Sequence, residues 1–194
     1  MKAIIIGFSI VATSFTACNS NDNSSKETAA KSNDTAKVNT HEENTTNNAA
    51  SVDKVVDAYI QLKNSLTTEN GNDAASAGKQ LSEAMQKVDE RSFNTDQKKI
   101  YDDVKDDIKE HAEHISANGR NIAHQREHFD LLSKDMADLV KTLGTSGQTL
   151  YKDFCPMYNN KKGAYWLSET KEIKNPYLGK AMPACGVMKE EIKQ

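Results

Sequence analysis

Residues 120–143 read RNIAHQREHFDLLSKDMADLVKTL, and the spacing within them decides the fold. Ile122, Phe129, Leu132, Met136, Leu139, Val140 and Leu143 recur at three- and four-residue steps, which puts them on one face of an amphipathic helix. The stretch before it repeats the pattern with Ile100, Tyr101, Val104, Ile108, Ala112 and Ile115. It opens at Phe93-Asn94-Thr95-Asp96, with Thr95 as the expected N-cap, and ends at Asn118-Gly119. Earlier still, Asp73 opens a segment with Ala74, Ala77, Leu81, Ala84, Met85 and Val88 on one face, and its small residues predict close approach to a neighbour. The first periodic segment starts at a Ser51 N-cap and carries Val52, Val55, Val56, Tyr59, Ile60, Lys63 and Leu66. Lys63 is expected to snorkel to water, and Asn70-Gly71-Asn72 stops the helix. Four amphipathic helices with short connections predict a mainly α fold, an antiparallel four-helix bundle.

Gly144–Gly147 closes the bundle, and no strand-like alternation of any length comes before residue 150. Residues 150–188 are different in kind: LYKDFCPMYNNKKGAYWLSETKEIKNPYLGKAMPACGVM. This stretch contains the single Trp, all three prolines, two of the three cysteines and three of the six methionines. It reads as an irregular C-terminal cap, with short strands around Leu150–Phe154 and Ala164–Leu167.

At the other end, Lys2 precedes a short apolar run, Ala3–Val11, too short to span a bilayer. The run leads to Phe15-Thr16-Ala17-Cys18, whose spacing resembles a bacterial lipobox, with Phe where Leu is usual. Residues 1–18 are therefore expected to be a lipoprotein signal segment with lipid on Cys18. Residues 19–50 are nearly all polar and cannot bury enough apolar surface to offset chain entropy, so a disordered linker is expected there, with His41 solvated. The domain is placed at 51–194. The mature chain is expected to be extracytoplasmic, a membrane-anchored lipoprotein facing the periplasm.

A net charge of −3, with acidic and basic residues interspersed, gives no electrostatic reason to expect nucleic acid as a partner. No G-x-S-x-G elbow and no Walker or Rossmann glycine pattern is present. A Cys155–His128 nucleophilic pair is formally available, but nothing local supplies an oxyanion hole, and no enzyme is expected. With lipid on Cys18, Cys155 and Cys185 remain as an even pair in an oxidising compartment. A disulfide between them would close a loop of about 30 residues and stabilise by ~3–4 kcal/mol in the chain-entropy model. Equally, Cys155-Pro156-Met157 and Met182-Pro183-Ala184-Cys185 are two sulfur pairs, each bent by a proline, and soft sulfur ligands select soft metals. Spacing alone leaves disulfide and metal open. Among the histidines, His124 and His128 stand i,i+4 and His111 and His114 i,i+3, spacings that serve imidazole coordination. The order His124-Gln125-Arg126-Glu127-His128 is not the zincin motif. His111 and His114 read as polar-face residues, and His128, beside Phe129, as a candidate ligand.

One resemblance adds to this reading. Gln125-Arg126-Glu127-His128-Phe129, Leu132-Ser133, Leu150-Tyr151, Cys155-Pro156-Met157, Gly163-Ala164-Tyr165-Trp166-Leu167-Ser168, Ile173, Asn175-Pro176-Tyr177, Gly179, Met182 and Cys185-Gly186 resemble a bacterial family of uncharacterised extracytoplasmic domains. These are often lipoproteins, and the domain also occurs fused to membrane-fusion (adaptor) subunits of heavy-metal efflux systems. The likeness runs over about residues 52–192 and is specific from Gln125 onward; Pro183-Ala184 departs from the family's usual Leu. It implies heavy-metal binding, copper foremost, with Cys155, Met157, Met182 and Cys185 at the presumed ligand positions and His128 on the helix facing them. Cu(I) fits that donor set best, with zinc or another soft metal as alternatives. The aromatic residues Tyr165, Trp166 and Tyr177 are expected to shield the ion. The implied function is to sequester metal or hand it to an efflux system. The implied partners are the metal ion, the membrane through the lipid, and an efflux adaptor protein. The rival expectation is a structural or interaction domain, clamped by a Cys155–Cys185 disulfide, that docks to an envelope or adaptor protein.

Overall fold

The computed structural model describes residues 42–193 apart from Ser146, with the backbone alone over 42–51. The signal segment with Cys18, and the linker through His41, lie outside the described residues. Four long helices follow one another: α1 (Glu42–Thr67), α2 (Gly71–Met85), α3 (Thr95–Ala117) and α4 (Ile122–Leu143). They lead into three strands, β1 (Leu150–Cys155), β2 (Ala164–Ser168) and β3 (Val187–Ile192). The expected bundle is present. The cap is more regular than expected, because the strands form one antiparallel sheet in the order β2-β1-β3.

Helix ends follow their side chains. Asn70 caps α2, its side chain accepting from Asp73 N at 3.1 Å. Asn94, one residue before the expected Thr95, caps α3 and forms a reciprocal capping box with Gln97. α1 begins at Glu42, upstream of Ser51. No glycine or proline lies between them, so once the apolar segment nucleates the helix each further residue adds a bond with little to stop it.

α1 packs on α2, α2 on α3 and α3 on α4. Gly78 shows how close the second seam is: a Cβ there would stand 2.8 Å from the Ala112 carbonyl oxygen. Across the last seam α1 barely meets α4, and β2 fills the gap. Tyr59 on α1 is the junction. Its hydroxyl lies 2.8 Å from Ser133 Oγ on α4 and accepts from Leu167 N of β2 at 3.0 Å, while its ring stacks on Phe129 at 5.3 Å.

Lys63 also lies on this seam and does not snorkel: it is 0% exposed. Its Nζ donates to Glu169 Oε2 at 2.7 Å, and Asn64 Nδ2 donates to Glu169 Oε1 at 2.9 Å. The chain leaving β2 covers the lysine and supplies the carboxylate, which is what lets an ammonium sit there. No helix among the described residues is long and apolar enough to cross a membrane.

Candidate metal centre

The sheet brings the two cysteines together. Cys155 ends β1 and Cys185 lies in the turn entering β3; the pairing of Phe154 with Val187 sets the two chains side by side. The sulfurs are 2.7 Å apart. Cys155 is buried and Cys185 half-buried. Burial, and then the neighbouring Cys155, push the Cys185 thiol up, while the Met157 backbone acts weakly the other way.

The Cys185 turn is held from three sides. Its amide donates to Met182 O at 3.1 Å. Asn175 Nδ2 donates to the Cys185 carbonyl at 2.6 Å, and Asn175 N donates to Pro183 O at 2.9 Å. Trp166 lies beneath Gly186, where a Cβ would come within 2.8 Å of the indole, so the residue after Cys185 has to be glycine. Asn175 is itself buried, and its Oδ1 accepts from Tyr177 N at 2.8 Å and Leu178 N at 2.9 Å, which forms the Asn-Pro-Tyr turn. Arg126 on α4 anchors that turn by donating from Nε to Pro176 O at 2.8 Å.

Around this frame Tyr177 packs against Phe129, Tyr158 and Trp166, and its hydroxyl donates to Tyr165 O. These rings form the core between sheet and bundle. Met157 and Met182, the thioethers of the two sulfur pairs, are 48% and 43% exposed.

His128 lies elsewhere. Both its ring nitrogens are engaged by other histidines: Nδ1 stands 3.2 Å from His111 Nδ1 and Nε2 stands 3.2 Å from His124 Nε2. His114 stacks on the His128 ring, centroids 4.3 Å apart. Four of the chain's five histidines thus meet between α3 and α4. Burial lowers the pKa of His111 and of His128, and the neighbouring imidazoles add to this at His128, which keeps both rings neutral at pH 7. Sequence reasoning registered both histidine pairs but not that they face each other. The available signal was position: one pair precedes and the other follows the same short Asn118–Asn121 connection, which folds the two helices back on each other.

A third group has no sequence signal at all. Asp153, between Cys155 and Tyr151 on β1, is buried with neither carboxylate oxygen hydrogen-bonded, and burial raises its pKa to about 7 against the pull of Lys63.

Fold and site together define a class: a four-helix bundle completed by a three-stranded sheet, with a dithiol at the end of the central strand and a histidine cluster on the bundle. Residues 55–148 match the family described as Protein of unknown function (DUF3347), a stretch that covers most of α1 through α4 and stops short of β1. No curated protein and no solved structure matches the chain.

Proposed function

We propose that this is an extracytoplasmic domain, tethered by lipid on Cys18, that binds a soft metal ion, Cu(I) above all, on Cys155 and Cys185. It would sequester the ion or pass it to an efflux adaptor. One observation carries the reading: two cysteines 30 positions apart converge to 2.7 Å, Cys185 in a partly exposed turn, with an exposed methionine within three residues of each along the chain. Thiolate supplies charge and softness, and the half-exposed thioethers of Met157 and Met182 can close over the ion. Two thiolates on one ion stand roughly 3.7 Å apart at metal–sulfur distances of about 2.3 Å. The pair must therefore open by ~1 Å, by rotation of the half-buried Cys185 side chain on its fixed backbone. Loss of the thiol proton to the metal accompanies binding.

The burial of Cys155 favours a second reading, in which the pair oxidises to a clamp that pins β3 to β1 in an interaction domain. Two measurements separate them. Free thiols are counted on the full chain prepared without oxygen, and Cu(I) is titrated against a chromogenic chelator. The metal reading expects two free thiols and about one tightly held Cu(I), most of the affinity being lost in Cys155→Ser and less in Met157→Leu or Met182→Leu. Equal Cu(I) affinity in wild type and the Cys155→Ser, Cys185→Ser double variant would refute it in favour of the clamp.

A further inference from the structure

We propose that His114, His124 and His128, braced by His111 and Glu127, form a second metal site for a divalent first-row ion that favours imidazole, separate from the sulfur pair. Nitrogens of the three candidate ligands lie within 4.8 Å of one another. The His124 and His128 Nε2 atoms, at 3.2 Å, already stand close to the ~3.4 Å that separates two nitrogens on a tetrahedral Zn(II) with bonds of about 2.0–2.1 Å. His114 is exposed, so rotation of its side chain brings the third nitrogen in.

The outer contacts are those of a ligand set. Glu127 Oε2 is 3.1 Å from His124 Nδ1. A carboxylate only accepts, so the Nδ1 proton is fixed there and the His124 Nε2 lone pair faces His128. In the metal-free protein a His128 Nε2–H donates to that lone pair, and His111 Nδ1–H donates to His128 Nδ1. A cation takes the place of the proton between the two Nε2 atoms. His128 then carries its proton on Nδ1 and donates it to His111, which moves its own to Nε2; both rings change tautomer and no net proton is released.

The frame is rigid. The two pairs lie on helices joined by the short Asn118–Asn121 turn. Buried Gln125, on the turn of α4 between His124 and His128, donates from Nε2 to Ile115 O at 3.1 Å and to Gly71 O at 2.9 Å. Paired ligands on facing helices are how bundles build metal sites, and three imidazoles leave a fourth coordination position for water. Neutral nitrogen donors suit borderline divalent ions, whereas the sulfur pair suits monovalent copper.

The test uses the full chain without an affinity tag, and Zn(II) as the probe by calorimetry, with Co(II) visible absorption reporting nitrogen coordination. One Zn(II) per chain is expected, unchanged in the Cys155→Ser, Cys185→Ser variant. The His114→Gln, His124→Gln double variant should lose at least ~30-fold in affinity, and His111→Gln about 10-fold, as loss of an outer partner does. Both His114 and His124 reach the surface, so the apo melting temperature of the double variant should match wild type, which separates a lost site from a lost fold. Equal Zn(II) affinity in that variant, no saturable binding by the wild type, or loss of binding in the cysteine variant instead would each overturn the proposal. The cysteine variant keeps this test independent of the Cu(I) reading.

Discussion

Asp153→Asn should stabilise the protein at pH 8 and flatten its stability between pH 4 and 7. The carboxyl is wholly buried, finds no hydrogen bond, and has its pKa raised from 3.8 to about 7. A raised pKa means the folded chain keeps a proton that the unfolded chain has already released. Stability therefore falls as pH rises from about 4 to about 7 and levels off above, where the folded state carries a buried, unpartnered charge. The full shift, about three pH units at ~1.4 kcal/mol each, amounts to roughly 4 kcal/mol. The value of about 7 already includes the pull of Lys63; relaxation around the charge brings the expected gain in Asp153→Asn to about 2 kcal/mol at pH 8 and close to zero at pH 4. Urea denaturation of both proteins at pH 4.5, 6 and 8 measures this directly. A variant less stable than wild type at pH 8, or parallel pH curves, would refute the reasoning and show that the carboxylate is stabilised as an anion.

Two further perturbations test other links. Tyr59→Phe removes the hydroxyl shared by Ser133 and Leu167 N and leaves a buried strand amide unpaired, so urea unfolding should show a loss of about 2–3 kcal/mol; an unchanged midpoint would mean the seam does not depend on that group. Cys18→Ser should release the chain from membranes into the soluble fraction, and retention through a high-salt wash would rule out the lipid anchor.

The bundle was legible because each helix carries its own period and breaker, and tertiary packing had nothing to override. Most core positions named from spacing, Val55, Leu81, Ile108, Phe129 and Leu132 among them, are buried, while Ile60, Val88, Ile100, Ile122 and Leu143, at the helix flanks and ends, are half-buried. The sheet was half legible. β3 has an exposed face and reads Val-Met-Lys-Glu-Glu-Ile, which carries no alternation to betray a strand; only pairing with β1 makes it one. Lys63 was misjudged because its partner, Glu169, lies about a hundred residues away. The convergence of Cys155 with Cys185 was anticipated as a pairing, but the placement of His128 was not: periodicity says which residues share a face, and Phe129 and His128 turn to different neighbours. Asp153 acts through burial alone, which no local pattern encodes.

The seam between α1 and α4 bears on how the chain folds. The first three helix contacts join elements adjacent in sequence and can form locally, within microseconds to milliseconds. The fourth cannot. Tyr59 waits for Leu167, more than a hundred residues later, and Lys63 for Glu169. Loop closure of that length comes last and carries the cooperativity of the whole, so the helices are not a unit that the strands merely decorate. The family match ends at residue 148, but the folding unit does not: a chain stopped there would leave Tyr59, Phe129 and Lys63 facing water along an unsealed groove. During synthesis, the seam between α1 and α4 stays open until Leu167 and Glu169 have emerged.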